Sequence, residues 1–455
     1  MRMQPVRLGR VRHSWFVAVA VVFLLLILLV IAEPRRASAQ AGTGAQGATK
    51  SPGLRASAVK VDITPETPQW LLGYQARQST GVHDRIYHRV VALDTGSTQL
   101  YLISSDLCLF SPTLYDRVTR ELQAQTGISP KQVMWSVTHT HAAPEIGPPD
   151  MYKALLGRSD HEWDREYTDR TTRALVDSVR TARDRLEPAR IAFGTGTAMA
   201  NINRRAKDVD GRVSLGLNPD GPVDRQVNLI RLDRPDGSLI ALIANYAMHG
   251  TVMNGDNLKI SGDGPGVVTA YLEEQLGGTV LYINGAAGNI APIYSVYSTP
   301  ESGHLSQFRV LLGDRILSAV AAMGPGTAVV TMEHAERVVE TPRRAELVWP
   351  EELAAYGASD GRPLVRLPLR FLRINDTVIW SAPVEMFCEI SMDVRSHSPF
   401  AHTFYFGYTN GWFGYLPTAK AFEEGGYEPR TSPFSAQAEG DVGQAVTAFI
   451  RGFRR

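Results

Sequence analysis

The sequence predicts an α/β fold with mixed, partly parallel sheets flanked by helices. Three observations point there. Short apolar runs alternate along the chain with segments of helical spacing, several of those runs are apolar throughout, as strands covered on both faces are, and polar residues able to do chemistry stand where the runs end. A chain of 455 residues, 44% hydrophobic and 20% charged, can bury a large core. Its formal net charge of +1 gives no basic surface of the kind that binds nucleic acid, so nucleic acid is excluded as a partner.

In chain order, the first segment is "MRMQPVRLGRVRH", which is basic, followed by the apolar run Ser14 to Ala32 and by "EPRRASAQAG", with an A-x-A pattern at Ala37 to Ala39. Residues 1–39 therefore read as an export signal or an N-terminal membrane anchor. The run is near the ~18 residues of a span and longer than the ~7 to 15 of a signal core, so both readings stand. Arg2, Arg7, Arg10 and Arg12 outnumber Arg35 and Arg36, which puts the body outside the cytoplasmic membrane. It is anchored there, or secreted or periplasmic if the signal is cleaved. Residues 40–57 are rich in Gly, Ala, Ser and Thr and read as a flexible linker, with the folded body over 58–455.

Within the body, "VVALDTG" and "QLYLISSDLCLF" read as strands, "TLYDRVTRELQAQTG" as a helix and "KQVMWSVTHTH" as a strand. A long helix follows at "DREYTDRTTRALVDSVRTARDRL", then the strand "SLIALIANYAMHG", the helix "PGVVTAYLEEQLG", the strand "TVLYINGAAGN" and the helix "HLSQFRVLLGDRILSAVAAMG". Further strands, "TAVVTMEHAERVVE", "LVRLPLRFLRIN" and "TVIWSAP", lead to an aromatic, loop-rich end from Thr403 onward. There is no internal repeat. Cys108 and Cys388, 280 residues apart in apolar stretches, read as buried small hydrophobes rather than ligands or a disulfide pair.

Four strands run into polar groups at their C-terminal ends: "VMWSV" into His139, "LIALIANYAM" into His249, "TVLYIN" into "GAAGN", and "TVIWSAP" into Glu385. In α/β folds that edge binds ligands. Zinc takes nitrogen and oxygen ligands and, in catalytic sites, keeps one position open. His139, His249 and Glu385 suffice for three. His139 and His141, two apart in an extended segment, can face one cavity, although an HxH pair is equally compatible with a structural role. No P-loop, dinucleotide fingerprint, G-x-S-x-G elbow or H-E-x-x-H motif is present.

The ordered set "THTHAAPEIG", "INRRA" with "NPDGPVDRQV", "NYAMHGTVMNGDNLKISGDGPG", "NGAAGNIAP", "APVEMF" and "TNGWFGYLPTAKAFEEGGYE" resembles the neutral/alkaline non-lysosomal ceramidases. The resemblance implies a secreted or membrane-bound zinc amidase in which metal-activated water cleaves the amide of ceramide or a related N-acyl lipid. It implies His139, His249, Glu385 and Tyr415 as zinc ligands, His141 as the histidine beside the scissile carbonyl, and Arg204 and Tyr427 as contacts to the substrate head or oxyanion. Glu145 and Asp263 are expected to cap a helix or brace a loop rather than to act in catalysis. Two departures accompany it. The family's "GDxSP" loop reads "GNIAP" here, with Ala291 at the serine position and Asn289 at the aspartate, and residues 58–455 are expected to be a catalytic domain without the family's C-terminal immunoglobulin-like domain. If the serine is an obligatory nucleophile, the resemblance implies an inactive envelope lipid-binding protein. If metal-activated water attacks, it implies a hydrolase of ceramide or of another ester, lactone or amide.

Overall fold

Three sheets carry the body, and in each of them one parallel pair is appended to antiparallel neighbours. The computed structural model describes residues 53–158, 161–293 and 304–454. The export segment and all but the end of the linker lie outside the described residues. Among those described, no helix is long and apolar enough to cross a membrane.

The first sheet orders Val133–Val137, Gln99–Ser105, Tyr87–Asp94, Arg55–Asp62 and Glu187–Pro188. Its first strand starts at Arg55, inside the stretch read as linker, because Leu54 and Ala56 are buried in the core. The second orders Thr279–Asn284, Leu239–Tyr246, Gln226–Asp233 and Arg190–Thr197, and the third Met332–Pro342, Leu364–Ile374, Thr377–Ser381 and His402–Phe406. The parallel pairs are Gln99–Ser105 with Val133–Val137, Leu239–Tyr246 with Thr279–Asn284, and Thr377–Ser381 with His402–Phe406.

A shared core joins the sheets: Val91 and Leu102 from the first, Ile230 and Ile243 from the second, and Leu372, Ile379 and Phe404 from the third belong to one buried cluster. The opposite face of the first sheet is covered by the helices Pro112–Thr126 and Arg165–Asp184, and that of the second by Asp263–Leu276 and the segment from His304 to Ala321. Burial on both faces explains why "VMWSV" is buried at every position and shows no alternation. The mixed α/β expectation holds.

Two readings need correction. The end from Thr403 onward, read as loop-rich, carries the strand His402–Phe406 and a 16-residue helix, Ala438–Phe453, whose Val442, Val446 and Ile450 are fully buried. Glycines and polar residues inside "AEGDVGQAVTAFIRGF" hide that i, i+4, i+8 stripe in the sequence. The histidine pair is also not strand-borne. The strand ends at Val137, and His139 has a left-handed backbone, φ 64°, so the two side chains converge by a turn rather than by strand alternation.

Candidate metal centre and its cavity

The site forms where the parallel pairs end. Two residues past Val137 the chain reaches His139, three past Tyr246 it reaches His249, and four past Ser381 it reaches Glu385. The chain after Phe406 supplies Tyr408, Trp412 and Tyr415. Glu385 and Tyr415 are direct partners in a two-residue parallel pairing, Glu385–Met386 with Tyr415–Leu416, which sets a carboxylate beside a phenol. Gly250 brings the two histidine segments together. His141 donates its backbone N–H to the Gly250 carbonyl at 2.8 Å, and a Cβ at position 250 would lie 2.6 Å from the His139 carbonyl oxygen.

Ligand atoms of His139, His249 and Glu385 all lie within 4.8 Å of one another. Nε2 of His139 and Nε2 of His249 stand 3.3 and 3.2 Å from the same carboxylate oxygen, Oε2 of Glu385. Each imidazole is oriented from behind. Nδ1 of His139 donates to the Cys108 carbonyl and Nδ1 of His249 to the Ile290 carbonyl, both at 3.0 Å, which leaves the Nε2 lone pairs facing inward. Trp412 Nε1 donates to the other Glu385 oxygen at 2.9 Å, and the Tyr408 ring stacks on His139 at 4.2 Å. His139, Tyr408 and Tyr74 all have left-handed φ, at 64°, 54° and 59°, so backbone strain gathers at this centre.

Electrostatics sharpen the arrangement. Burial would raise the Glu385 carboxyl, but His139 and His249 beside it hold it well below the usual carboxylate range. Burial, then Arg204 and His139, pull His249 down to about 3. Burial and the charge of Glu385 push the Tyr415 phenol well up. Two imidazole Nε2 atoms and one carboxylate oxygen thus converge, with the Tyr415 phenol beside the carboxylate. Two imidazoles, a carboxylate and a further oxygen are donors of the kind zinc takes. The residues present therefore fit the implied metal. A second group, Cys108 with His139 and His141, fits less well: burial and Glu385 push the thiol well up, and the nearby Nδ1 of His139 is committed to a carbonyl.

The other predicted residues surround this set. His141 Nε2 is 3.2 Å from His139 Nε2, while its buried Nδ1 has no hydrogen-bond partner among the described residues and rests against Gly73. Burial, followed by His139 and His249, holds the His141 imidazole well below its usual value, so it is neutral. Arg204 reaches Nε2 of His249 at 2.9 Å through Nη1 and the Tyr415 hydroxyl at 3.0 Å through Nη2. Tyr427 packs edge-on to Tyr415 at 5.7 Å. Ala291 also faces the cavity, and the loop it occupies is built in: Asn289 accepts the Cys388 N–H and donates to Glu389, and the Ile290 carbonyl orients His249. All seven residues named as ligands or catalytic groups are thus brought into one neighbourhood.

Above them opens a cavity of about 510 Å³. Its polar floor is His139, His141, Arg204, Glu385, Tyr415 and Tyr427, and its apolar wall is Leu109, Leu155, Leu156 and Trp412, with half-exposed Leu215 and Tyr74 at the edge. Glu145 does not belong to it. That carboxylate accepts from Arg158 and pairs with His161, both at 3.0 Å, and Asp263 accepts the N–H groups of Val252 and Met253. Both brace loops, and both cysteines are free and buried. Sequence reasoning missed Trp412, Tyr408 and the two orienting carbonyls. Trp412 lies inside the quoted "GWFGYLPT", but a backbone carbonyl leaves no mark in a sequence.

Comparison with known proteins identifies the family and the fold. The profile described as neutral/alkaline non-lysosomal ceramidase, N-terminal, matches residues 56–296, more than half of the chain. The neutral ceramidase of Pseudomonas aeruginosa is 26% identical over 255 residues, 51% of this chain and 36% of that protein. That of Mycobacterium tuberculosis is 29% identical over 235 residues, 48% of this chain and 35% of its own length. The match thus spans only about a third of these curated relatives. A crystal structure of the Pseudomonas aeruginosa neutral ceramidase superposes with a TM-score of 0.70 at 19% identity, covering 88% of this chain and 74% of that one, and shares its fold. The chain belongs to the neutral/alkaline non-lysosomal ceramidase family.

Proposed function

We propose that the protein is a zinc-dependent amidohydrolase that cleaves the amide of ceramide or a related N-acyl lipid outside the cytoplasm, at or released from the membrane. The observation that carries this reading is the convergence of His139, His249 and Glu385 on one point beneath a half-apolar cavity. His139, His249, Glu385 and Tyr415 would hold the metal. Bound there, zinc supplies Lewis-acid charge at a carbonyl and makes water more acidic.

The chain's own groups do the rest. Arg204 and Tyr427 donate hydrogen bonds to the carbonyl oxygen as it gains negative charge, where loss of one donor typically costs about 100- to 1000-fold in rate. His141, neutral and facing the cavity, takes the proton of the attacking water at Nε2 and returns it to the leaving nitrogen. The wall of Leu109, Leu155, Leu156 and Trp412 receives an acyl chain and excludes water from the reacting groups. Ala291 has no hydroxyl, so the attacking oxygen comes from water and not from that position.

The test is a substrate comparison with zinc-loaded protein, offering ceramide and an ester of equal chain length in the same detergent micelles. Fatty-acid release from ceramide that is lost on chelation and restored by zinc supports the proposal. Ester cleavage alone favours a hydrolase of another substrate. Absence of all turnover, with activity gained in Ala291→Ser, favours a lipid-binding protein.

A further inference from the structure

Successive residues of a strand point to opposite faces, so Arg204 and Arg205 in Asn201–Lys207 should diverge. They do not. Glu428, 1% exposed, accepts from Arg204 Nε at 2.9 Å on Oε1 and from Arg205 Nη1 at 2.8 Å on Oε2. The pairing of this strand with Val213–Asn218 shifts register between Asn203 and Arg205, and such a bulge re-aims side chains. One buried carboxylate thereby gathers both guanidinium groups.

The geometry points to Glu428 as a positioning residue for the metal centre. A guanidinium is a rigid planar fork, so fixing Nε fixes the directions of Nη1 and Nη2. For Arg204, Nη2 ends on the hydroxyl of Tyr415, whose oxygen keeps a lone pair for zinc, while Nη1 stands at Nε2 of His249, whose lone pair zinc would claim. Glu428 therefore acts at one remove, through Arg204, on how Tyr415 is presented and on where the guanidinium stands beside His249. Arg205 serves the other side of the same carboxylate, donating to the Gly425 carbonyl at 2.8 Å and to Glu424 at 3.3 Å, and touches none of the proposed ligands. Glu428 also follows Tyr427 in the short helix Tyr427–Arg430, so the element that orients Arg204 is the one that presents the phenol.

This inference rests on the zinc reading above. Its test is the zinc affinity of the full chain, measured by chelator competition in wild type, Glu428→Gln and Arg205→Gln. Loss of a group that orients metal ligands typically weakens affinity about 10- to 100-fold, and that loss is expected for Glu428→Gln, with Arg205→Gln unchanged. Equal affinity in Glu428→Gln and wild type, or equal losses in both variants, overturns the positioning role. A wild type that binds no zinc overturns the zinc reading and this inference with it. Should Glu428→Gln be unfolded by circular dichroism, Glu428→Gln/Arg205→Gln, which removes one charge of each sign, carries the same comparison against Arg205→Gln.

Discussion

Replacing Gly73 by alanine separates the two histidines of "THTH" without touching either. Gly73 has φ 88°, and a Cβ there would lie 2.3 Å from Nδ1 of His141 and 2.6 Å from its Cγ. Ordinary van der Waals contact begins near 3.4 Å, so the imidazole must retreat by about 1 Å, a misplacement that costs on the order of 100-fold in rate. That corresponds to about 2.7 kcal/mol on the barrier. The left-handed backbone adds a stability cost of about 1–2 kcal/mol, small enough for the protein to remain folded. Nε2 of His139, Nε2 of His249 and the Glu385 carboxylate are oriented by Cys108, Ile290 and Trp412, none of which contacts residue 73 as a hydrogen-bond partner. Gly73→Ala should therefore retain zinc while kcat for amide cleavage falls about 100-fold. Steady-state kinetics with metal analysis on the same preparation decides it. Unchanged kcat, or zinc lost together with activity, would refute the assignment of His141 to proton transfer.

Other expectations follow from the same geometry. Trp412→Phe leaves the buried Glu385 Oε1 without its donor, an unpaired charged group costing at least about 1–3 kcal/mol, and zinc affinity measured by chelator competition should fall about 10-fold or more. Burial raises the Asp263 carboxyl to about 6, against three backbone N–H groups that lower it, so the folded state holds a proton the unfolded chain has lost above 3.8. Stability should then fall as pH rises from about 4 to about 6, by on the order of 3 kcal/mol. Denaturant titrations across that window should show this contribution missing from Asp263→Asn, and an identical slope in both proteins would contradict it. Ile450→Ala, in the C-terminal helix, should cost about 2–5 kcal/mol in urea unfolding. Ala291→Ser should change kcat by less than about tenfold, since water rather than that side chain supplies the attacking oxygen.

Much of this centre was legible because strand ends are legible. Apolar runs such as "LIALIANYAM" stop where a polar group begins, and three such stops supplied His139, His249 and Glu385 before any geometry was known. The phenol, Arg204 and Tyr427 came only through the family motifs, since a single tyrosine or arginine carries no spacing signal. What stayed hidden lives in the backbone. The left-handed φ of His139, the carbonyls of Cys108 and Ile290, and the register shift beside Arg205 depend on how the chain turns, and side-chain identity does not encode them directly. The helix Ala438–Phe453 escaped for a related reason. Its buried stripe, Val442, Val446 and Ile450, is narrow and interrupted by glycines, and it is helical because the core around Phe371 and Val339 accepts it.

The most direct test compares bound zinc and ceramide cleavage in wild type, His139→Ala and His141→Ala. The predicted result is one zinc per wild-type chain with amide cleavage, loss of both in His139→Ala, and retained zinc with cleavage lost in His141→Ala. Zinc and activity surviving in His139→Ala, or a wild type that cleaves ceramide without metal, would contradict the account.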